Sequence, residues 1–598
     1  MLYKIINYQN TPFYRQTRSN KPVLPLIIDN YDNYEKIYKK ENIWISATEF
    51  DNFCNKDKFS DWLNALKSHY NLKDEDEEEN KENFFIKYLF KKGVEYEEKV
   101  INELRTKLQL PLPKHSSMPT SRDYKDDKLA MKDKEGVLKS MIDGEPVIYS
   151  GLIFDDVNRL RGIPDLLVRN DFISFIFPNQ KNLENKRSLF GNYYYLPIEI
   201  KYSTLHLNKT SIYFLNQDRM KIYKTQLYTY CKILESMQGI LPQQCFIIGK
   251  KTVLKDEKYN PFFNTGIVDF SSFDKDISSI FKEGYDWLSE VKTKFLNWNV
   301  FTKPEIYPNL KVDHPFYGKI KKNIGSSLND ITEIWQCSDI HRKNAHLHGI
   351  YKWSDTRLTS SILGLHEKHS PIVDQILKTN RGELGDYFPP FFSKDTNNFK
   401  QITDEMFVDF ETIHNIDIDI NENINENEEQ EEFIFLIGVW YKNNYYRFII
   451  DEMTKEQETK ILNDFYLFWE ENQKPKIWHW YAETELWKRA TKRNSIELDV
   501  PFNDLYEVYQ KEPFTVKGCK NFKLKSYIKA LYNLGKIHAE FPPSCDNGLD
   551  AMIIAYQYYR EKEKDGDKDD KKFNDMITYN QLDCKYLEIL LNFARSLL

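Results

Sequence analysis

The sequence predicts an α/β protein with two mixed-sheet domains joined by a helical stretch, and three observations carry that prediction. The chain has 598 residues, more than one core normally fills, which sets a prior of about three or four domains. Short runs rich in Ile, Val, Leu, Tyr and Phe, bounded by Gly, Asn and Asp, alternate with helical periodicity toward both ends of the chain. Finally, two ordered sets of carboxylates lie far apart: Glu97, Asp165 and Glu199, then Asp409, Glu411, Glu483 and Asp583. The expected divisions are 1–300, 301–400 and 401–598.

Composition narrows the class. Hydrophobic residues at 41% and aromatics at 15% supply ample core. No apolar run approaches the roughly 18 residues of a membrane span, and the start has no small-residue cleavage site, so a soluble intracellular protein without a membrane partner is expected. The seven cysteines (Cys54, Cys231, Cys245, Cys337, Cys519, Cys545 and Cys584) include no CxxC pair, which argues against a zinc ribbon, an iron–sulfur cluster or a disulfide framework. The net charge of -7 is concentrated in two runs, Asp74 to Glu82 at -6 and Asp417 to Glu432 at -8. With those set aside the rest of the chain carries +7. Both runs are expected to be solvated loops. Basic clusters at Lys488, Arg489, Lys492 and Arg493 and at Lys517, Lys520, Lys523, Lys525 and Lys529 have two readings, phosphate contacts in a groove or the wet faces of helices.

In the first region, the pattern from Asn83 onward predicts a helix on which Gly93 and Glu97, four apart, lie on one face. PVIYSGLIFDD, RLRGIPDLLVRND and YYYLPIEIKYS then read as strands of a mixed sheet. Glu199 and Lys201 are two apart on such a strand and leave the same face. A divalent ion held by Asp165 and Glu199 would polarise a phosphate while the lysine orients a water. The following helix, RMKIYKTQLYTYCKIL, contributes Gln226 and Tyr230. CFIIGKKT and NTGIVDF complete the sheet, and a helix from Asp274 to Trp298 closes the domain.

These residues resemble the PD-(D/E)XK nuclease superfamily: Pro164-Asp165 and Glu199-Ile200-Lys201 match its core, and Gln226 and Tyr230 match the QxxxY pattern of its RecB-like branch. Glu97 matches that branch's leading acid. The resemblance implies a restriction-endonuclease-like fold, with Glu97, Asp165 and Glu199 as metal ligands and Lys201, Gln226 and Tyr230 as catalytic groups. The plain alternative is a silent sheet with surface carboxylates.

Residues 301–400 carry helical patterns and are expected to form a connector. Ala345, Gly349, Ile350 and Trp353 resemble a short helix-hairpin-helix element, in which a glycine turn presents backbone N–H groups to phosphate. Cys337, His341, His346 and His348 could serve as metal ligands but have no matching second pair.

In the last region, MFVDFETIH reads as a strand from which Asp409 and Glu411 project together. FIFLIGVWY and NYYRFIID add two strands, KEQETKILNDFYLFWEEN an amphipathic helix, and KPKIWHWYAETELWKRA a strand entering a helix with Glu483 at the junction. MITYNQLDCKYLEILLNFARSLL is a periodic helix whose Tyr579 and Asp583 share one face.

This order resembles a ribonuclease H-like domain of the DEDD exonucleases, and more closely the version fused to RecB-like nucleases in one family of nucleases. Asp409 to Thr412 (DFET) matches the first motif and Tyr579 to Asp583 (YNQLD) the tyrosine form of the last; GCKNFKLKSYIKALY and GLDAMIIAYQYY also look like that family. The usual second-motif aspartate is absent, and HWYAE ending at Glu483 stands in its place, with Glu485 and Asp504 as alternatives. That departure makes the C-terminal head the candidate for lost activity. The resemblance implies a pair of Mg2+ or Mn2+ ions about 4 Å apart, bridged by Asp409, with Glu411, Glu483 and Asp583 completing the ligands. Tyr579 would position the attacking water.

The implied function is metal-dependent cleavage of DNA, as single strands or duplex ends, or of RNA, in repair, recombination or nucleic-acid processing, with the C-terminal unit trimming 3′ ends. The competing class is a nucleic-acid-binding scaffold with one or both heads inactive. The chain has no GxxxxGK[ST] motif, so any unwinding falls to a separate helicase.

Overall fold

A computed structural model describes residues 43–70, 81–124, 127–217, 219–254, 257–263, 265–314, 316–414, 432–542, 545, 548–563 and 570–598. The acidic stretches 74–80 and 417–431 lie outside the described residues. The protein is α/β with mixed sheets. It has two compact units, one within residues 43–70 and 86–321 and the other within 81–85 and 322–598. Among the described residues no helix is long and apolar enough to cross a membrane.

The first unit includes the short strand β1 (Ile45–Ser46) and, from Ile86 on, the helix α1 (Lys81–Leu108), then β2 (Val147–Tyr149), β3 (Ile153–Asp155), β4 (Leu160–Gly162), β5 (Leu166–Arg169) and β6 (Tyr195–His206). Helix α2 (Met220–Gln238) leads into β7 (Gln244–Leu254), β8 (Glu257–Tyr259) and β9 (Ile267–Asp269), and a helix over Ile277–Lys294 follows. The main sheet has the order β2-β5-β6-β7-β8, with β9 also on β7. β6 is antiparallel to β5 and parallel to β7.

The expected strands over 146–169 do not all join one sheet. β3 and β4 form a separate three-stranded sheet with β1. The backbone supplies the reason: Ser150 sits at φ 53, which ends the pleat of β2 before β3 begins. On β6, Leu196, Ile198 and Ile200 are buried in the core formed with Val100, Ile101 and Leu104 of α1, each such side chain contributing about 1.5–3 kcal/mol. The alternation turns Glu199 and Lys201 to the opposite face, where Lys201 meets Gln226 of α2.

In the second unit the central sheet comprises β11 (Glu405–His414), β12 (Glu432–Tyr441), β13 (Asn444–Ile449), β14 (Lys476–His479) and β15 (Phe502–Asp504), after the small β10 (Tyr387–Phe388). Their order is β13-β12-β11-β14-β15. The first three pair antiparallel, and β14 and β15 add in parallel. Helices α3 (Lys455–Glu471) and α4 (Glu483–Arg493) flank β14, and β16 (Thr515–Val516) pairs with β10. Helices α5 (Leu524–Asn533), α6 (Gly548–Glu563) and α7 (Asp570–Arg595) end the chain, α6 and α7 lying against β11. The strand β15 was not expected from the sequence.

The expected separate connector over 301–400 is divided differently here. Residues up to Lys321 go with the first unit. Beyond it, Ile331, Ile334, Cys337, Ala345, Ile350 and Trp353 share one core with Trp478, Tyr509, Phe514, Tyr586 and Leu590. Burial of those side chains fuses the segment to the C-terminal unit. The glycine turn also departs from a phosphate-presenting hairpin: Gly349 N–H donates to His346 O and Ile350 N–H to Ala345 O, so both donors close the preceding helix. Among the described residues, Cys337, His341, His346 and His348 do not form a metal-ligand group. His341 Nδ1 accepts from Ser338 N, and His348 Nδ1 lies against Asn344 O.

Candidate functional site

The first acidic set is held on β6, at the start of β5 and on α1. Glu199 is buried, and its Oε2 accepts from Lys201 Nζ at 2.5 Å. Asp165 Oδ2 accepts from Ile200 N–H at 2.6 Å, and Glu97 Oε1 from the Tyr149 hydroxyl at 2.9 Å. Lys201 Nζ also reaches Gln226 Oε1 at 3.3 Å. Gln226 Nε2 donates to the Tyr230 hydroxyl at 2.8 Å, and that hydroxyl donates to Ile163 O at 3.2 Å. The QxxxY spacing thus forms a hydrogen-bonded chain from the lysine to the backbone beside Asp165. Gly162 makes room for it, since a Cβ there would fall 2.3 Å from Tyr230 Cε1. Gly93 has open space about it, so no close approach requires a glycine there.

Burial, and then the charge of Glu199, push Asp165 up to about 7. Burial, and then Asp165, push Glu97 up to about 7 as well. Burial alone would lower Lys201, but the Glu199 and Asp165 charges outweigh it and hold the ammonium firmly protonated. Glu199 Oε1 is buried with no hydrogen-bond partner. A buried bare carboxylate oxygen is costly unless a cation or donor meets it.

The second set is tighter. Asp409, Glu411 and Asp583 each offer an oxygen such that all lie within 4.8 Å of one another, and among the described residues these form the single such group of three or more acids, cysteines or histidines. Asp409 and Glu411 leave the same face of β11, and α7 brings Asp583 onto it. Burial, and then Asp583, push Glu411 up to about 8. Burial raises Asp583 to about 6, although Lys525 opposes it, and burial followed by Glu411 raises Asp409 well above the usual range. Asp583 Oδ1 is buried without a partner, while its Oδ2 meets Lys525 Nζ at 3.1 Å. Tyr579 is buried, and burial followed by the Asp583 charge pushes its hydroxyl up. An all-oxygen donor set with an orphaned buried carboxylate oxygen fits a hard divalent cation. In the first set Glu199 Oε1 meets the same criterion.

Of the three alternatives for the remaining acid, Glu483 is the buried one, and its charge acts on both Asp409 and Asp583. Its Oε2 lies 2.8 Å from His479 Nδ1, which leaves it outside the three-oxygen group. Glu485 is exposed and paired with Lys488. Asp504 accepts from Tyr481 N–H and Tyr506 N–H, capping the helix over Leu505–Lys511.

Sequence reasoning missed Asn580. Its Nδ2 donates to Asp409 O at 3.1 Å, to Asp409 Oδ2 at 2.8 Å and to Glu411 Oε1 at 3.2 Å, while Tyr445 donates to its Oδ1. A Cβ at Gly438 would stand 1.7 Å from that oxygen, so the glycine on β12 is what admits the amide. The signal lay within YNQLD, where Asn580 is three residues before Asp583 on one helix face. The basic clusters divide: Arg489 and Arg493 pair with Glu432 and Glu458, Lys520 with Glu333, and Lys525 with Asp583.

No protein-family model, curated protein or solved structure matches the chain.

Proposed function

We propose that the chain is a metal-dependent nuclease with two hydrolytic sites, a RecB-like PD-(D/E)XK unit followed by a ribonuclease H-like DEDD unit of the tyrosine type. The observation that carries the reading is the group of half-buried Asp409 and buried Glu411 and Asp583 within 4.8 Å. The strand order β13-β12-β11-β14-β15, with those acids on the central strand and on a helix crossing it, supports the second assignment. The Glu199–Lys201–Gln226–Tyr230 chain of hydrogen bonds supports the first.

A divalent cation, Mg2+ or Mn2+, when bound supplies positive charge against the phosphate and acidifies water. Asp409, Glu411 and Asp583 would hold it in the second unit, and Asp165 and Glu199 with Glu97 in the first. Asn580 fixes the orientation of Asp409 and Glu411 by donating to both. Tyr579, whose hydroxyl feels the charges of Asp583, Glu411 and Asp409, would orient the attacking water. Lys201, kept protonated by its neighbours, offsets charge on the phosphate and donates toward water. The substrates are DNA strands or ends, or RNA, in repair, recombination or nucleic-acid processing, with a separate helicase for any unwinding.

The test is cleavage of end-labelled single-stranded DNA, duplex DNA and RNA in Mg2+, Mn2+ or chelator. Metal-dependent shortening of at least one polymer is expected. Binding without cleavage in either metal would replace this reading by a nucleic-acid scaffold.

A further inference from the structure

We propose that Lys525 is the resident counter-cation of the second acidic cluster, a positioning residue that holds one oxygen of Asp583 and yields it when a divalent cation enters. This rests on the metal reading of that cluster and adds how its affinity is set. The ammonium lies 3.1 Å from Asp583 Oδ2 and 3.4 Å from the centroid of the Tyr579 ring. It thereby touches the acid and the aromatic residue of the same motif. Leu524, Tyr527, Ile528 and Leu531 bury the helix that carries it, so the backbone beneath Lys525 is anchored. The side chain itself is one-third exposed, so solvent and ions reach the ammonium.

The arrangement divides the Asp583 carboxylate. Oδ2 is taken by the lysine, whereas Oδ1 is buried with no hydrogen-bond partner. Three carboxylates so close repel one another, and a single ammonium balances one charge of three. A lysine suits an exchangeable role, because its compact charge on a flexible stem imposes no fixed fork of donors as a guanidinium does. A divalent cation and the ammonium cannot share Oδ2 without mutual repulsion. Occupation by one therefore weakens the other.

Mn2+ titration by calorimetry on the full chain tests this, in an Asp165→Asn background that removes the first acidic set from the readout. Lys525→Met is expected to bind Mn2+ about tenfold tighter, the size of one positive charge removed from nearby through a polar medium. Its metal-free melting temperature should fall and recover on adding Mn2+. Lys525→Arg should match or weaken the parent affinity, and Lys525→Gln should repeat the Met result if the Met variant does not fold. A merely structural lysine would leave Mn2+ affinity unchanged or lower in Lys525→Met, and that result overturns the inference while leaving the metal reading intact. Absence of Mn2+ binding in the parent protein overturns the metal reading itself, and the inference with it.

Discussion

The two acidic sets differ in what their oxygens meet. In the first unit each carboxylate has its own donor: Tyr149 for Glu97, Ile200 N–H for Asp165 and Lys201 for Glu199. In the second unit Asp409, Glu411 and Asp583 face one another within 4.8 Å, with Asn580 and Lys525 as the polar groups among them. The first arrangement is oriented by a lysine built into its strand, which pairs with Glu199 while Asp165 and Glu97 are still raised by burial and by neighbouring carboxylate charges. The second stores repulsion that added positive charge relieves. The contrast also bears on HWYAE: the unit with the less regular motif has the more concentrated cluster.

The comparison breaks most sharply by substitution. Asp409→Ala and Asp583→Ala should each remove one metal-dependent cleavage activity, and Asp165→Ala and Lys201→Ala another. Each loss should exceed the roughly 10–100-fold effect of removing a group outside the ligand set. Unchanged metal-dependent cleavage in all four variants would refute both site assignments. Next in size is the pair of close approaches. Gly438→Ala drives a methyl to 1.7 Å from Asn580 Oδ1, and Gly162→Ala to 2.3 Å from Tyr230 Cε1. Each should cost about 1–3 kcal/mol in urea unfolding. An unmoved midpoint would show that the facing side chain swings away freely.

A pH series sharpens the contrast further. Glu411 sits at about 8 and Asp583 at about 6 in one unit, Asp165 and Glu97 at about 7 in the other. Unfolded carboxylates titrate near roughly 4, so between there and about pH 8 the folded chain retains protons that the unfolded chain has lost. Stability of the chelated protein should therefore fall as pH rises through this window, and Mn2+ should restore more of it at about pH 8 than at about pH 5. A melting temperature that climbs over that range in chelator would contradict the raised acids. The smallest effect belongs to Tyr149→Phe. Its hydroxyl favours the charged form of Glu97, so its loss, worth about 0.5–1.5 kcal/mol, should move the first activity's pH midpoint upward.

Much of this was legible in the sequence for physical reasons. Long apolar strands such as Glu432–Tyr441 and the periodic helix over Asp570–Arg595 announce themselves through their patterns. Acids two apart on a strand or four apart on a helix must share a face, which located Asp409, Glu411, Tyr579 and Asp583. The three-residue strand Phe502–Asp504 is too short to show a period. The split between the first unit's sheets turns on one dihedral, at Ser150. Asn580 and Lys525 went unassigned because a polar side chain's role depends on which distant strand or helix it meets. Periodicity along one segment does not encode that partner.

Both acid-bearing strands are interior to their sheets. β6 is bonded to β5 and β7, and β11 to β12 and β14. Amides on such strands exchange with solvent through the largest openings of a domain rather than through fraying. Glu199, Asp409 and Glu411 thus sit on interior strands, so an ion lodged there is expected to leave by its own dissociation rather than by a fraying of the backbone beneath it.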